Sequence, residues 1–219
     1  MFPNSHRELV TIGTDTSSVK GLLALPAEPR GMVLFAHGSS SRHSPRNALV
    51  AGVLRNAGMG TLLMDLLSED EDYDSAKHFD VPLLTRRLAW VTDWIGEYAA
   101  TRSLPLGLFG ASTIAAAAFA LAAIRPGCIG ALVSRGGRPD LAGPGVLAAV
   151  RTPSLLLVGA LDTQVLALNR AAFATFAGEK HLEVIPGASH LFEEQGRIEI
   201  VATHAVAWFE RFLGAAARR

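Results

Sequence analysis

At 219 residues, with 49% hydrophobic and 18% charged side chains, the chain is too apolar to remain disordered and long enough to bury one sizeable core. Its 20 basic residues balance 20 acidic ones, which excludes the basic footprint of a nucleic-acid binder and a polybasic membrane patch. The single cysteine, Cys128, excludes a disulfide framework, and the longest uncharged apolar run, 11 residues at 114–124, is too short to span a bilayer.

The N-terminus is polar and has no apolar core of a secretory signal, so the expected location is cytoplasmic. Residues 8–13 and 18–25 read as a β-hairpin around a Thr14-Asp15-Thr16 turn. A short apolar strand at 32–36 ends at His37-Gly38 and leads to a helix over 45–57. A strand at 60–64 runs into Asp65, and the acidic stretch 68–74 reads as a solvated loop. Leu83, Leu84, Leu88, Val91, Trp94 and Ile95 share one side of a helix expected over 81–99. A strand at 104–109, a buried Ala-rich helix over 113–124 and a strand at 128–133 follow. Then come a strand at 154–158, a helix over 165–176, a strand at 181–185 and an amphipathic helix over 197–213. I/V/L-rich strands alternating with helices predict an α/β fold: a mostly parallel, doubly wound sheet flanked by helices on both faces, in one domain spanning 1–219. The connection across 134–153 is too short for a cap domain.

Sheets of this kind bind ligands at the carboxyl ends of their strands, so the residues just past each strand carry the information. Gly110-Ala111-Ser112-Thr113 lies between a strand and a helix. A serine on such a turn is pushed out above the sheet, beside the N–H groups of the helix N-terminus. Serine needs a base, and His190 follows the last strand; Asp162 follows the strand before it. The order Ser, Asp, His is that of α/β-hydrolases. Asp65, also at a strand end, is the rival acid. The backbone N–H of Thr113 and that of Ser39 or Ser40 are the expected oxyanion donors. Arg42, His43, Arg46, Arg135 and Arg138 border the predicted cleft and are candidate ligands for an anionic substrate group. His37 is expected to hold its loop, and His6, His78, His181 and His204 to be structural or solvent-facing. The histidines offer no metal-binding pair at helical spacing.

Together these pieces resemble the α/β-hydrolases, and among them the small dienelactone-hydrolase-like group. The likeness rests on His37-Gly38-Ser39, Phe109-Gly110-Ala111-Ser112-Thr113, Val158-Gly159-Ala160-Leu161-Asp162 and Gly187-Ala188-Ser189-His190. Dienelactone hydrolases use a cysteine nucleophile where this chain has Ser112, so the resemblance implies a serine hydrolase acting on esters or related acyl groups. With it the chain is expected to need no cofactor and no metal, to take a small-molecule substrate, and to be a monomer or homodimer. An engineered or catalytically altered scaffold, and a binding protein on the same fold, are the alternatives. The elbow pattern departs from Gly-x-Ser-x-Gly at Ile114, where a branched side chain is expected either to crowd the helix–strand crossing or to narrow the acyl pocket.

Overall fold

Eight strands form one sheet in the computed structural model, which describes residues 6–14, 17–38 and 43–214. The strands are β1 (His6–Gly13), β2 (Ser18–Leu25), β3 (Gly31–His37), β4 (Met59–Asp65), β5 (Leu106–Ala111), β6 (Ala131–Arg135), β7 (Ser154–Gly159) and β8 (Lys180–Ile185). The helices are α1 (Pro45–Asn56), α2 (Val81–Glu97), α3 (Thr113–Ile124), α4 (Pro144–Ala149), α5 (Thr163–Thr175) and α6 (Arg197–Leu213). The spatial order is β1-β2-β4-β3-β5-β6-β7-β8. The hairpin β1–β2 joins β4 antiparallel, and every pair from β4 onward is parallel.

The burial of each strand follows its place. The edge strand β1 alternates toward the core and outward, whereas all residues of β4, β5, β6 and β7 are buried, since helices cover both faces. Side chains alternate between two cores. Met32, Leu34, Leu62 and Phe119 pack with α2 and α3 on one face. Val33, Phe35, Phe109, Val133 and Phe209 pack with α1 and α6 on the other. No described helix is long and apolar enough to cross a membrane.

The chain leaves β3 toward β4 and then returns past β3 to β5, so the order reverses between β3 and β5. At such a switch point the loops after neighbouring strands diverge and leave a crevice. His37-Gly38 and Ser112 lie at this one.

Two strands sit about two residues later than their apolar runs predict. Pro105 has no N–H to give the sheet, though its carbonyl accepts from Met32 N at 2.8 Å; β5 therefore starts at Leu106 and runs on through Gly110 and Ala111. Gly127, at φ +88°, turns the chain, Cys128 N–H caps Arg125 O at 3.3 Å, and β6 begins only at Ala131. The acidic stretch is solvated at residues 69, 70 and 72–74 but carries one 3-10 turn, Glu71–Tyr73, and a second, Lys77–Phe79, follows it. A 3-10 turn, Pro139–Ala142, and α4 fill the connection between β6 and β7, each with a proline in its first turn.

Candidate active site

Ser112 stands between β5 and α3 with φ +51° and ψ −135°, one of two non-glycine residues with positive φ among those described. A side chain held there costs of order 1–3 kcal/mol, so the surroundings must enforce it. Two hydrogen bonds and two close approaches at glycines do so. The Ser112 carbonyl accepts from Arg138 N at 3.0 Å and from Ala115 N at 3.2 Å. Gly110 lets α3 approach: a Cβ on it would meet Ala115 Cα at 3.2 Å. Gly137 is closer still, since a Cβ there would lie 2.5 Å from Ala115 Cβ. The side chain of Ser112 is left exposed, and Thr113, first residue of α3, has no intrahelical acceptor for its N–H.

The tight helix–strand contact therefore falls at Ala115, one residue beyond Ile114. Ile114 does not crowd the crossing. It is buried, with 4% exposure, against the α2–α3 core, and it lines a cavity of about 380 Å³ that also includes Ser112 and Thr113.

Asp162 and His190 come together by backbone stitching between the ends of β7 and β8. Ala160 N bonds Ile185 O at 3.0 Å and Leu161 N bonds Ala188 O at 3.0 Å. Gly159 makes this possible, because a Cβ there would stand 2.3 Å from Ala188 O. His190 Nδ1 then lies 2.6 Å from Asp162 Oδ2, while Asp162 Oδ1 caps α5 by accepting from Val165 N at 3.4 Å. The far end of the histidine loop is tied by Glu194, whose carboxylate oxygens each accept from Ser189 N at 3.1 Å. Residue 136 links this pair to the elbow. Arg135 is the register partner of Ala111, and a Cβ on the next residue, Gly136, would sit 3.6 Å from His190 Cε1. The imidazole edge thus borders the strand adjacent to Ser112.

The rival acid lies elsewhere. Asp65 is the register partner of His37 across β3 and β4, is buried, and borders a separate cavity with His43 and Ser68. Burial first, and then the charge of Arg135, push the His37 imidazole down to about 4, so it is neutral at pH 7. Its Nε2 has no hydrogen-bond partner among the described residues.

Of the cationic residues expected at the cleft, Arg138 and Arg46 are paired with carboxylates. Arg138 is committed to Asp140 through two bonds of 2.9 and 2.7 Å. Arg135 is buried, its guanidinium 5.9 Å from the Phe109 ring centroid, and desolvation lowers its pKa to about 10. Arg46 pairs with Glu193 at 2.6 Å, and His43 faces the cavity of Asp65. Arg42, Ser39 and Ser40 lie outside the described residues.

Two residues from the acidic excursion enter the site unforeseen. His78 and Phe79 border the same cavity as Ser112. Glu71 is not part of a solvated face: the fully buried Arg87, from α2, grips both its oxygens and holds its carboxyl down at about 2. Their spacing of 16 residues carries no pattern that marks them as partners. Among the described residues no group of three His, Cys, Asp or Glu is placed to hold a metal ion.

No family model matches the sequence. A dienelactone hydrolase from Anabaena variabilis has 46% sequence identity, covers 95% of this chain and 99% of its own, and superposes with a TM-score of 0.90. The esterase domain of a Rhodothermus marinus protein, at 17% identity, covers 95% of this chain and 100% of its own with a TM-score of 0.77, a likeness of fold alone. Two Mycobacterium tuberculosis proteins, provisionally named phosphoribosyl transferases, are 50% identical over 208 residues, 94% of this chain. The chain spans about half, 47%, of the length of these curated relatives. Near-complete mutual coverage with the Anabaena structure, on the sheet order and strand-end residues described above, means that this chain belongs to the dienelactone-hydrolase-like family of α/β-hydrolases.

Proposed function

We propose that the protein is a serine hydrolase that cleaves small esters by acyl transfer to water. The observation that carries this reading is the 2.6 Å contact of His190 Nδ1 with Asp162, at the same end of the sheet as a serine held at φ +51°. The carboxylate accepts from Nδ1–H, which leaves Nε2 as the basic nitrogen of the neutral ring. In the first step Ser112 Oγ attacks the ester carbonyl as His190 Nε2 takes its proton. Negative charge gathers on the carbonyl oxygen, where Thr113 N–H and an N–H from the loop after β3 receive it. His190 returns the proton to the leaving alcohol. Water then repeats the sequence on the acyl-serine, with His190 again as base.

Ser112 occupies the nucleophile position, and Cys128, exposed in the turn before β6, is remote from it in sequence and in the sheet. The transferase name belongs to proteins about twice as long, whereas the likeness to the Anabaena hydrolase runs over both whole chains. Hydrolysis is therefore the activity assigned to this chain. Arg138 is paired with Asp140 and Arg135 is buried with one guanidinium nitrogen unpartnered, so a preference for anionic esters is tested by comparing matched neutral and anionic substrates. The test is labelling with a fluorophosphonate, mapping of the adduct by mass spectrometry, and p-nitrophenyl acetate kinetics. Label on Ser112, and a loss of about 10⁴–10⁶ in kcat for Ser112→Ala, are expected. An adduct on Cys128, or unchanged hydrolysis by that variant, overturns the assignment.

A further inference from the structure

We propose that His78, oriented by Asp72, selects the acyl group at Ser112 by accepting a hydrogen bond from a hydroxyl on the substrate. This rests on the reading of Ser112 as nucleophile and adds the class of substrate, short hydroxyacyl esters.

The excursion between β4 and α2 forms one wall of the Ser112 cavity and is pinned from behind. Arg87 Nη2 bonds Glu71 Oε1 at 2.7 Å, and Arg87 Nη1 bonds the Leu66 carbonyl at 2.7 Å. Glu71 also accepts from Ser68 N at 3.0 Å and Lys77 Nζ at 3.4 Å. A wall fixed by so many charge-assisted bonds presents its side chains in one geometry.

His78 is placed on that wall with a defined tautomer. Its Nε2 lies 3.1 Å from the Asp72 carbonyl oxygen and 3.1 Å from Asp72 Oδ1. Both neighbours are acceptors, so Nε2 carries the hydrogen and Nδ1 of the neutral ring holds the lone pair. Nδ1 accepts no hydrogen bond from the described residues. That ring edge faces Gly38, where a Cβ would lie 3.0 Å from Nδ1 and crowd it. Phe79 and Ile114 add apolar surface, and Ser75, Thr113 and His37 also border the cavity. The volume, about 380 Å³, is at the small end for ligand pockets. A small, partly apolar cavity with a fixed acceptor on one wall fits a short acyl chain bearing one donor. An acyl chain without the hydroxyl leaves that acceptor to water or unpaired.

The experiment compares kcat/KM for ethyl 3-hydroxybutyrate and ethyl 2-hydroxybutyrate with that for ethyl butyrate, followed by pH-stat. The wild-type protein is expected to favour one hydroxy ester over butyrate by roughly tenfold, the scale of one net hydrogen bond. In His78→Phe that ratio is expected to fall to about one, and Asp72→Ala, which removes the Oδ1 contact but keeps the backbone carbonyl, to lower it in part. Should His78→Phe not fold, Asp72→Ala and the wild-type ratio still decide. A wild-type ratio of one for both hydroxy esters, or a ratio that survives both substitutions, overturns the proposal while leaving ester hydrolysis at Ser112 intact. Absence of both hydrolysis and fluorophosphonate labelling at Ser112 overturns the parent reading, and this one with it.

Discussion

Acid should weaken this fold in a pH window set by His37. The imidazole is buried at the end of β3, and its pKa lies at about 4 because burial disfavours the cation and Arg135 and Arg46 add like charge; Asp65 and Asn47 oppose these effects only in part. In the unfolded chain the same group titrates near its ordinary 6.5. Between those values the unfolded chain binds a proton that the folded one refuses. Stability from this group is therefore complete above pH 6.5 and is lost as pH falls toward 4. Integrating the proton difference from neutral pH to pH 4.5 gives about 2.5 kcal/mol, a large part of a typical domain's 5–15 kcal/mol. Glu71, held near 2 by Arg87, stabilises the fold above its ordinary 4.5 and begins to give up that contribution only below it. The interval from 6.5 to 4.5 thus isolates His37 from Glu71. Urea unfolding of the wild type and of His37→Asn at pH 7.5, 6.5, 5.5 and 4.5 measures the effect. The wild type is expected to lose about 2.5 kcal/mol over that range and the variant less than about 1 kcal/mol. Parallel losses in the two proteins would refute a neutral, buried His37.

Two further substitutions probe the geometry around Ser112. Gly159→Ala places a Cβ 2.3 Å from Ala188 O, so the histidine loop must move off β7. A shift of about 1 Å in a positioned base costs of order 10²-fold in kcat; a variant with wild-type p-nitrophenyl acetate kinetics would show that the loop position is immaterial. Ile114→Ala removes a buried side chain that borders both core and cavity. It is expected to cost about 2–5 kcal/mol in denaturant unfolding and to raise the hexanoate-to-acetate ratio of kcat/KM. An unchanged ratio would remove Ile114 from the acyl pocket.

The features legible in the sequence are those that depend on near neighbours along the chain. Strand–helix alternation after the hairpin is enough to specify a parallel sheet, because continuous apolar runs need cover on both faces. That architecture marks strand ends as the place for chemistry, and the order Ser112, Asp162, His190 along those ends then selects the candidate triad without any knowledge of distances. The departures come from contacts between segments far apart. Glu71 reads as one more solvated acid until α2 brings Arg87 against it. His78 reads as a surface histidine until the excursion folds back beside β3. Arg135 ends β6 and Arg138 lies three residues on, yet one turns into the α1–α6 face against Phe109 and the other closes on Asp140. Ile114 looks like an obstruction only if the elbow's tight contact is assigned to it, and the helix places that contact one residue later, at Ala115. Apolar periodicity is enforced residue by residue by the exclusion of water, so it is written locally. The partner of a charged or polar side chain is chosen by packing, since an ion pair or hydrogen bond acts over a few ångströms of space whatever the separation in sequence. The strands and the order of the candidate triad residues belong to the first kind; the wall of the cavity, its tautomer-defined histidine and the packing of Arg135 and Arg138 belong to the second.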